Sequence, residues 1–381
     1  MKHHKLNPFR FGSVVSGDHF CNRRNEIESL KRYVHDQYSV WLYSPRRYGK
    51  TSLIRKVFKE LEGGVETIYF DLYNVRSLDD FSRKYARLIA ENLFDWNHEV
   101  KSLMDKFTNY FKRLQPGITI DSGGTSNFTL GINQIKEQYD VETILDIPER
   151  IAKQSEKRIC IAFDEFQEIT RIEPFLINWM RSAFQSHKNI SYIFLGSQQS
   201  LMETIFTKEE SPFYEFALKM NIEPIANVEL AKYIERKFSD AGLRINDSVI
   251  EMILEKSEGH PHFTQYFASV VFDLVRQGMD PHDDDFQSYW ISLIIRSQSI
   301  IMQNIFDQLS NTQRQVLFAL ARIDEKEELF SSVVRDKYQL PVSSSIVAAI
   351  QSLVKKGLIN KRDNRYTFVN PVFREWVLTL E

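Results

Sequence analysis

The chain has 381 residues, enough for two or three domains that each bury a core of their own. Its 14 glycines and 11 prolines fall short of ordinary usage, which disfavours turn-dense sandwiches, barrels and propellers and favours long helices, while 43% hydrophobic residues exclude a disordered or collagenous chain. With 49 basic against 51 acidic side chains and a net charge of -2, no global attraction to nucleic acid or to an anionic membrane is expected, which leaves room for a local basic face.

In chain order, Glu26 to His35 has a helical pattern, Ser39 to Tyr43 reads as a short buried strand, and Thr51 to Leu61 is helical again. In that second helix Leu53, Ile54, Val57, Phe58 and Leu61 share one face, and Gly63 and Gly64 follow as a stop. A strand at Thr67 to Asp71 completes a strand, helix, strand crossover, the unit of a parallel sheet. Residues 77–114 look helical, and residues 115–133, with four of the glycines, read as a surface hairpin or mobile insertion. After a helical stretch at Thr143 to Lys153, the continuous apolar run Arg158 to Phe163 marks a strand buried on both faces, ending at Asp164 and Glu165. A further strand, Ser191 to Leu195, ends at Gly196, Ser197 and Gln198, so polar residues cluster where open parallel sheets bind ligands.

From about Ile225 the pattern is helical: Glu229 to Ala241, Asp247 to Lys256, His262 to Gln277, and a run around Ile295 to Leu309. Thr312 to Arg322 and Phe330 to Tyr338 are helical, and Ser343 is placed as the cap of a third helix that runs to Lys356, with Gly357 as its C-terminal cap. Two strands, Leu358 to Lys361 and Arg365 to Val369, follow. Three helices and a hairpin make the pattern of a winged helix-turn-helix.

The sharpest chemical signal is Ser44, Pro45, Arg46, Arg47, Tyr48, Gly49, Lys50, Thr51, between a buried strand and an amphipathic helix. It satisfies seven of the eight positions of the phosphate-loop pattern, with Ser44 in place of the first glycine. Backbone N–H groups from Arg47 to Thr51 would wrap a phosphate at the positive end of the helix, with Ser52 just inside it. Gly49 permits close approach, Lys50 bridges phosphate oxygens, and Thr51 is a ligand for Mg2+. Asp164, at the end of the buried strand, is the second magnesium position, and Glu165 is placed to polarise the attacking water. The plainer alternative for that pair is helix capping. Ser197 and Gln198 read equally as sensors of the terminal phosphate or as a turn. Arg46 and Arg47 read as phosphate or subunit contacts, or as solvated surface arginines.

The expected architecture is therefore an α/β P-loop NTPase domain with a parallel sheet over residues 1–223, an all-α lid over 224–309 and a winged helix over 310–381. In the last segment eleven basic side chains face eight acidic ones. The presumptive recognition face, Ser343 to Gln351, has no Lys or Arg, whereas Lys355, Lys356, Lys361, Arg362 and Arg365 cluster at its end and in the wing, where phosphate contact fits better than base reading. Two cysteines, Cys21 and Cys160, are too few for a disulfide framework or a metal cluster, and no window reaches the ~18 apolar residues of a membrane span. A soluble cytoplasmic protein is expected.

The phosphate loop PRRYGKTSL, the strand run ICIAFDEFQEI, the later FLGSQQSLM and SPFYEF, the turn EGHPHF and the closing winged helix together resemble, in order over nearly the whole chain, the archaeal and bacterial ATPases of the STAND class in the AAA+ lineage, relatives of the origin-recognition ATPases. The resemblance implies ATP or ADP held between sheet domain and lid. It places Phe20 and Arg23 in the adenine pocket, with Asn22 and Arg24 replacing that segment's usual neighbours, and brings His260 and Pro261 of the lid to the nucleotide. Glu215 and Phe216 stand where the family often carries an arginine finger. What it implies in function is a slow, ATP-dependent conformational switch, with DNA or a protein as partner of the winged helix and a nucleotide-dependent homo-oligomer as its assembled form. A DNA-binding regulator with a mainly structural nucleotide is the alternative. A small-molecule P-loop kinase fits the loop but not the winged helix.

Overall fold

The computed structural model describes residues 6–93, 114–120, 126–132, 138–283, 285–324, 327–362 and 365–380, with the backbone alone over the described parts of 114–140 and at Arg362. The chain divides into two compact units, one of Val14–Glu223 and the other of Met1–Ser13 with Pro224–Glu381.

The Val14–Glu223 unit is built on a five-stranded sheet of order β2-β5-β6-β1-β7, with β1 Val40–Tyr43, β2 Glu66–Asp71, β5 Ile159–Asp164, β6 Ile190–Leu195 and β7 Leu218–Asn221. Each neighbouring pair is parallel. Helices α1 (Arg24–His35), α2 (Lys50–Leu61) and α3 (Leu78–Leu93) begin the covering layers. Between α3 and β5, strands β3 (Leu114–Ile120) and β4 (Ser126–Ile132) form a separate antiparallel pair, so the glycine-bearing segment is a hairpin where described. The rest of it, and residues 94–113 of the expected long helix, lie outside the described residues.

Every residue of β5 and β6 is buried, as their uninterrupted apolar sequences require of inner strands. Because successive side chains alternate between faces, Val40, Leu42, Cys160, Ala162, Ile193 and Leu195 meet the apolar stripes of α1 and α2. Trp41, Ile68, Phe70, Ile161, Phe163, Tyr192 and Phe194 form the opposite core with α3 and the helix Leu176–Phe184. Phe163 is its hub, with ring centroids of Tyr85, Phe184, Tyr192 and Phe194 between 5.9 and 6.2 Å away.

The expected single helix at Thr143 to Lys153 is two, Gln138–Leu145 and Ile147–Ser155, with Pro148 in the first turn of the second, where a missing N–H costs nothing. Strand β7 is absent from the sequence reading because it is an edge strand with mostly exposed residues and hence no apolar run. The helices Leu176–Phe184 and Gln199–Thr207 also fall in stretches that carried no assignment.

In the other unit, helices Asn227–Asp240, Asp247–Ser257, Pro261–Arg276 and Phe286–Asp307 lead into a winged helix of Asn311–Arg322, Ser332–Lys337 and Ser343–Lys355, hairpin β8 (Ile359–Arg362) and β9 (Arg365–Phe368), and a last helix, Pro371–Leu378. Phe306 of the long helix packs edge-on against Phe318 and Trp376, so that helix and the winged helix share a core. Residues 6–13 belong here rather than with the chain that follows them. Phe9 is buried among Tyr233, Phe238 and Phe272, Asn7 donates to Ser269, and the Arg10 amide donates to Gln265.

The cap of Ser343–Lys355 is Val342, with Ser343 as first helical residue, because the extended Val342 carbonyl already accepts from Ser345 and Ile346. Gly357 does take the left-handed conformation (φ +69°), and Leu358 N–H returns to the Leu353 carbonyl, a Schellman closure.

Truncating Phe163 would open a void at the centre of the aromatic core. Phe163→Ala should lower the unfolding free energy by about 3 to 5 kcal/mol in denaturant titration, against a small effect for a change at exposed Tyr73 on the same unit.

Candidate functional site

The carboxyl ends of β1, β2, β5 and β6 bring together residues far apart in sequence. The loop after β1 runs from Ser44 to Gly49 and enters α2 at Lys50. Its left-handed residues are Arg47 (φ +62°) and Gly49 (φ +83°), whereas Ser44 has no positive φ. A serine therefore strains nothing at the position where the motif expects a glycine; only Gly49 answers to the glycine requirement.

Lys50 is 8% exposed, and its ammonium donates to the Ser44 carbonyl (3.1 Å), Ser44 Oγ (3.2 Å) and the Pro45 carbonyl (2.9 Å). Burial pulls its pKa down from 10.5 to about 8, with Asp164 and Glu165 acting in the opposite sense. Ser52, in the first turn of α2, accepts the Val15 amide at 3.0 Å through its hydroxyl.

Thr51 Oγ1 donates to Asp164 Oδ2 at 2.8 Å, joining the phosphate loop to β5. Asp164 Oδ1 accepts the Glu165 amide at 2.8 Å, and Tyr69 of β2 donates its hydroxyl to Oδ2. Glu165 turns the chain with a left-handed backbone (φ +52°), and its Oε2 accepts from Ser197 Oγ (2.7 Å) and from Gln167. Arg46 Nε donates to the same Ser197 hydroxyl at 3.3 Å, which links the phosphate loop to β6. Gly196 lets Met202 and Gln167 pack against the end of β6, because a Cβ there would fall 2.4 Å from the Met202 side chain and 2.5 Å from Gln167 Oε1.

The expected residues thus divide. Thr51, Asp164, Glu165, Ser197 and Arg46 are drawn into one hydrogen-bonded network, Lys50 lies beside it bonded to Ser44 and Pro45, and Gln198 is exposed and starts the next helix through its carbonyl. Arg47 is exposed and Tyr48 half-buried at the tip of the loop. Arg23 is buried, and its guanidinium donates to Glu26 (2.6 Å), the Glu223 carbonyl (2.5 Å) and the Tyr48 carbonyl (3.5 Å), so it braces the phosphate loop from behind. Phe20 packs on the α1 and α2 core. His260 and Pro261 stand in the other unit, where buried His260 caps Pro261–Arg276 by accepting the His262 amide. There Gly259 (φ +67°) lies against the Ile225 carbonyl, 2.8 Å from where a Cβ would sit, which explains the glycine of that turn.

Tyr69, Asp71 and Gln167 escaped the sequence reading. Asp71 ends β2 abreast of Asp164, and burial, with Asp164 and Glu165 adding repulsion, raises its pKa. Burial and the neighbouring Asp164 also push the Tyr69 phenol upward, so it stays a protonated donor. The signal available was that two parallel strands, TIYFD and ICIAFD, both end in aspartate.

On the winged helix, Val342 at the cap and Val347 and Val354 on Ser343–Lys355 are exposed, and Lys355, Lys356, Lys361 and Arg365 are exposed at its end and on the hairpin.

A family described as an ATPase domain predominantly from Archaea matches residues 20–263. The chain belongs to that family. A second family, described as a probable winged helix domain, matches residues 300–379. A search of curated proteins found no match. Among solved structures, the Walker-type ATPase of Pyrococcus abyssi is similar with a TM-score of 0.62 at 18% identity, over 95% of this chain and 97% of that one. The ORC2 protein of Aeropyrum pernix, solved as ADPNP and ADP complexes, has a TM-score of 0.55 at 14% identity, over 97% of this chain and 96% of that one. These likenesses agree with the P-loop sheet and the winged helix of this archaeal-type ATPase family. Among the described residues, no helix is long and apolar enough to cross a membrane.

The lowered pKa of Lys50 has a checkable consequence without any ligand. Between about pH 8 and 10.5 the unfolded chain keeps this proton and the folded one releases it, so folded stability rises with pH across that window. Relative to Lys50→Met, the wild type should gain up to ~3 kcal/mol in denaturant titrations from pH 7.5 to 10.5, and a constant difference would contradict the assignment.

Proposed function

We propose that this ATPase-family chain binds ATP at the β1 to α2 loop, hydrolyses it slowly, and acts as a nucleotide-dependent switch whose helical and winged-helix parts respond to the state of the nucleotide. The observation that supports it most directly is the gathering of Lys50, Thr51, Asp164 and Glu165 at the carboxyl end of one parallel sheet, with Thr51 and Asp164 2.8 Å apart.

The roles follow from the chemistry. The α2 N-terminus directs backbone N–H groups and the positive end of the helix at a phosphate anion. Lys50, already desolvated, gains an anionic partner in place of neutral carbonyls. Thr51 and Asp164 present a hydroxyl and a carboxylate, hard oxygen donors that suit Mg2+. When bound, that ion neutralises charge on the phosphate oxygens. Glu165 orients a water molecule and accepts its proton as the water oxygen attacks the terminal phosphorus, and ADP leaves with the bridging oxygen. Ser197 and Gln167 both donate to Glu165 and so compete with a water molecule for it, and by the family resemblance Glu215 and Phe216 stand in place of an arginine finger; both favour slow turnover by the isolated chain.

Phosphate release with ATP and magnesium should be measurable, and Lys50→Ala and Glu165→Gln should each reduce it at least about 100-fold. Lys50→Ala should also weaken nucleotide binding, whereas Glu165→Gln should leave it intact. Unchanged turnover in both variants would remove hydrolysis from the proposal.

The exposed cations Lys355, Lys356, Lys361 and Arg365 support a second reading, a DNA-binding regulator, with phosphate contact rather than base reading as its mode. Binding to duplex DNA at low salt should weaken steeply with added salt and be lost in a Lys361→Ala, Arg365→Ala variant. No mobility shift at low salt would discard it and leave the winged helix as a protein-contact or lid element.

A further inference from the structure

Tyr69 is the donor to Asp164 that neither the motif nor the family match accounts for. It lies on β2 abreast of Ala162, two residues short of the level at which Asp71 and Asp164 stand side by side. Alternation puts Tyr69, Asp71, Ala162 and Asp164 on the face that carries α2. The small Ala162 takes little room beside the phenol ring, and the Tyr69 hydroxyl ends on Asp164 Oδ2, the oxygen that also accepts from Thr51 Oγ1.

The ring is held from the other side. Arg55 follows Thr51 by one helical turn, and residues four apart on a helix share a face. Its guanidinium carbon lies 4.1 Å from the Tyr69 ring centroid, so the cation stacks on the phenol. Arg55, Tyr69, Asp164 and Thr51 thus form a closed circuit between α2, β2 and β5. A tyrosine needed only for packing could have been phenylalanine at the edge of this apolar cluster. Here instead the one polar atom of the side chain reaches the carboxylate that the proposed ATP site uses.

We propose that Tyr69 is a positioning residue for the divalent cation that accompanies the nucleotide: its hydroxyl fixes the Asp164 carboxylate in the rotamer that faces Thr51, and Arg55 holds the phenol in place. This rests on the assignment of Thr51 and Asp164 as the cation's protein ligands. A carboxylate with two donors on one oxygen and the Glu165 amide on the other has little freedom to rotate. Removing the phenol hydroxyl frees one of those restraints without touching Lys50 or the loop that would wrap the phosphates. The effect should therefore fall on the cation and spare the nucleotide.

The experiment is calorimetric binding of ADPNP, the non-hydrolysable ATP analogue, to the full chain at increasing Mg2+ and in EDTA, for wild type, Tyr69→Phe, Arg55→Ala and Arg55→Lys. The Mg2+ concentration that half-restores tight binding should rise about 10-fold or more in Tyr69→Phe, the scale of outer-shell losses, while ADPNP affinity in EDTA stays that of the wild type. Arg55→Ala should give a rise of roughly two- to fivefold, reversed in Arg55→Lys, and it carries the test if Tyr69→Phe lacks a cooperative unfolding transition. An unchanged or lower half-saturating Mg2+ in Tyr69→Phe and Arg55→Ala overturns the proposal alone. Absence of any Mg2+ dependence in the wild type overturns the cation assignment beneath it as well.

Discussion

The Lys50 ammonium, buried at the start of α2, has neutral oxygens as its hydrogen-bond partners: two from Ser44 and one from Pro45. Taking a cation out of water is costly, and carbonyl dipoles recover only part of that cost. The loop is shaped by the need to supply them. It must fold back over the lysine, which asks for left-handed turns at Arg47 and Gly49, and it must be braced behind, where Arg23 holds the Tyr48 and Glu223 carbonyls. The result is a buried cation held at the start of a helix, the place where the proposed function sets a phosphate. Burial is what lowers the lysine pKa to about 8, against the opposing pull of Asp164 and Glu165.

Around that cation the parallel register sets the rest. Because β2 and β5 run abreast, Asp71 and Asp164 finish at one level, and Glu165 follows at once. Three carboxylates so close would repel one another, and the structure answers with donors: Thr51, Tyr69 and a backbone amide for Asp164, Ser197 and Gln167 for Glu165, the Tyr73 amide for Asp71. The six donors come from five places, since the Glu165 amide and Gln167 share the turn after β5. The acid cluster therefore reports on the placement of α2 and of four segments at the ends of the strands, and a shift in any one of them changes the hydrogen bonding of an acid proposed to act on ATP.

Much of this was legible in the amino-acid order. The inner strands showed as apolar runs because both their faces are covered, and the phosphate loop showed because its chemistry demands Gly49, Lys50 and Thr51 consecutively. Edge strand β7 did not show, since exposure on one side removes the apolar run that marks a strand. The break before Pro148 was hidden by helical periodicity that continues across it. Tyr69 and Gln167 were hidden for another reason: their roles depend on which strands lie side by side and on how the chain turns after β5, and periodicity carries no information on register. Ser44 looked like a defect when judged against a motif, but the backbone there never takes the conformation that excludes a side chain.

The placement of residues 6–13 bears on how the chain reaches its final form. Phe9 and Arg10 find their partners in Tyr233, Gln265 and Phe272, more than two hundred residues later, with a sequence separation of 255 for the Arg10 contact. During synthesis all of Val14–Glu223 has emerged before those partners exist. The apolar side chain of Phe9 therefore lacks its native shelter until Phe272 has been made, and the helical unit gains this aromatic only then. Closing so long a loop adds little entropy beyond that of a loop half its size, so the delay is one of timing rather than of free energy. Residues 6–13 thus pack only after the whole of the intervening unit has been made.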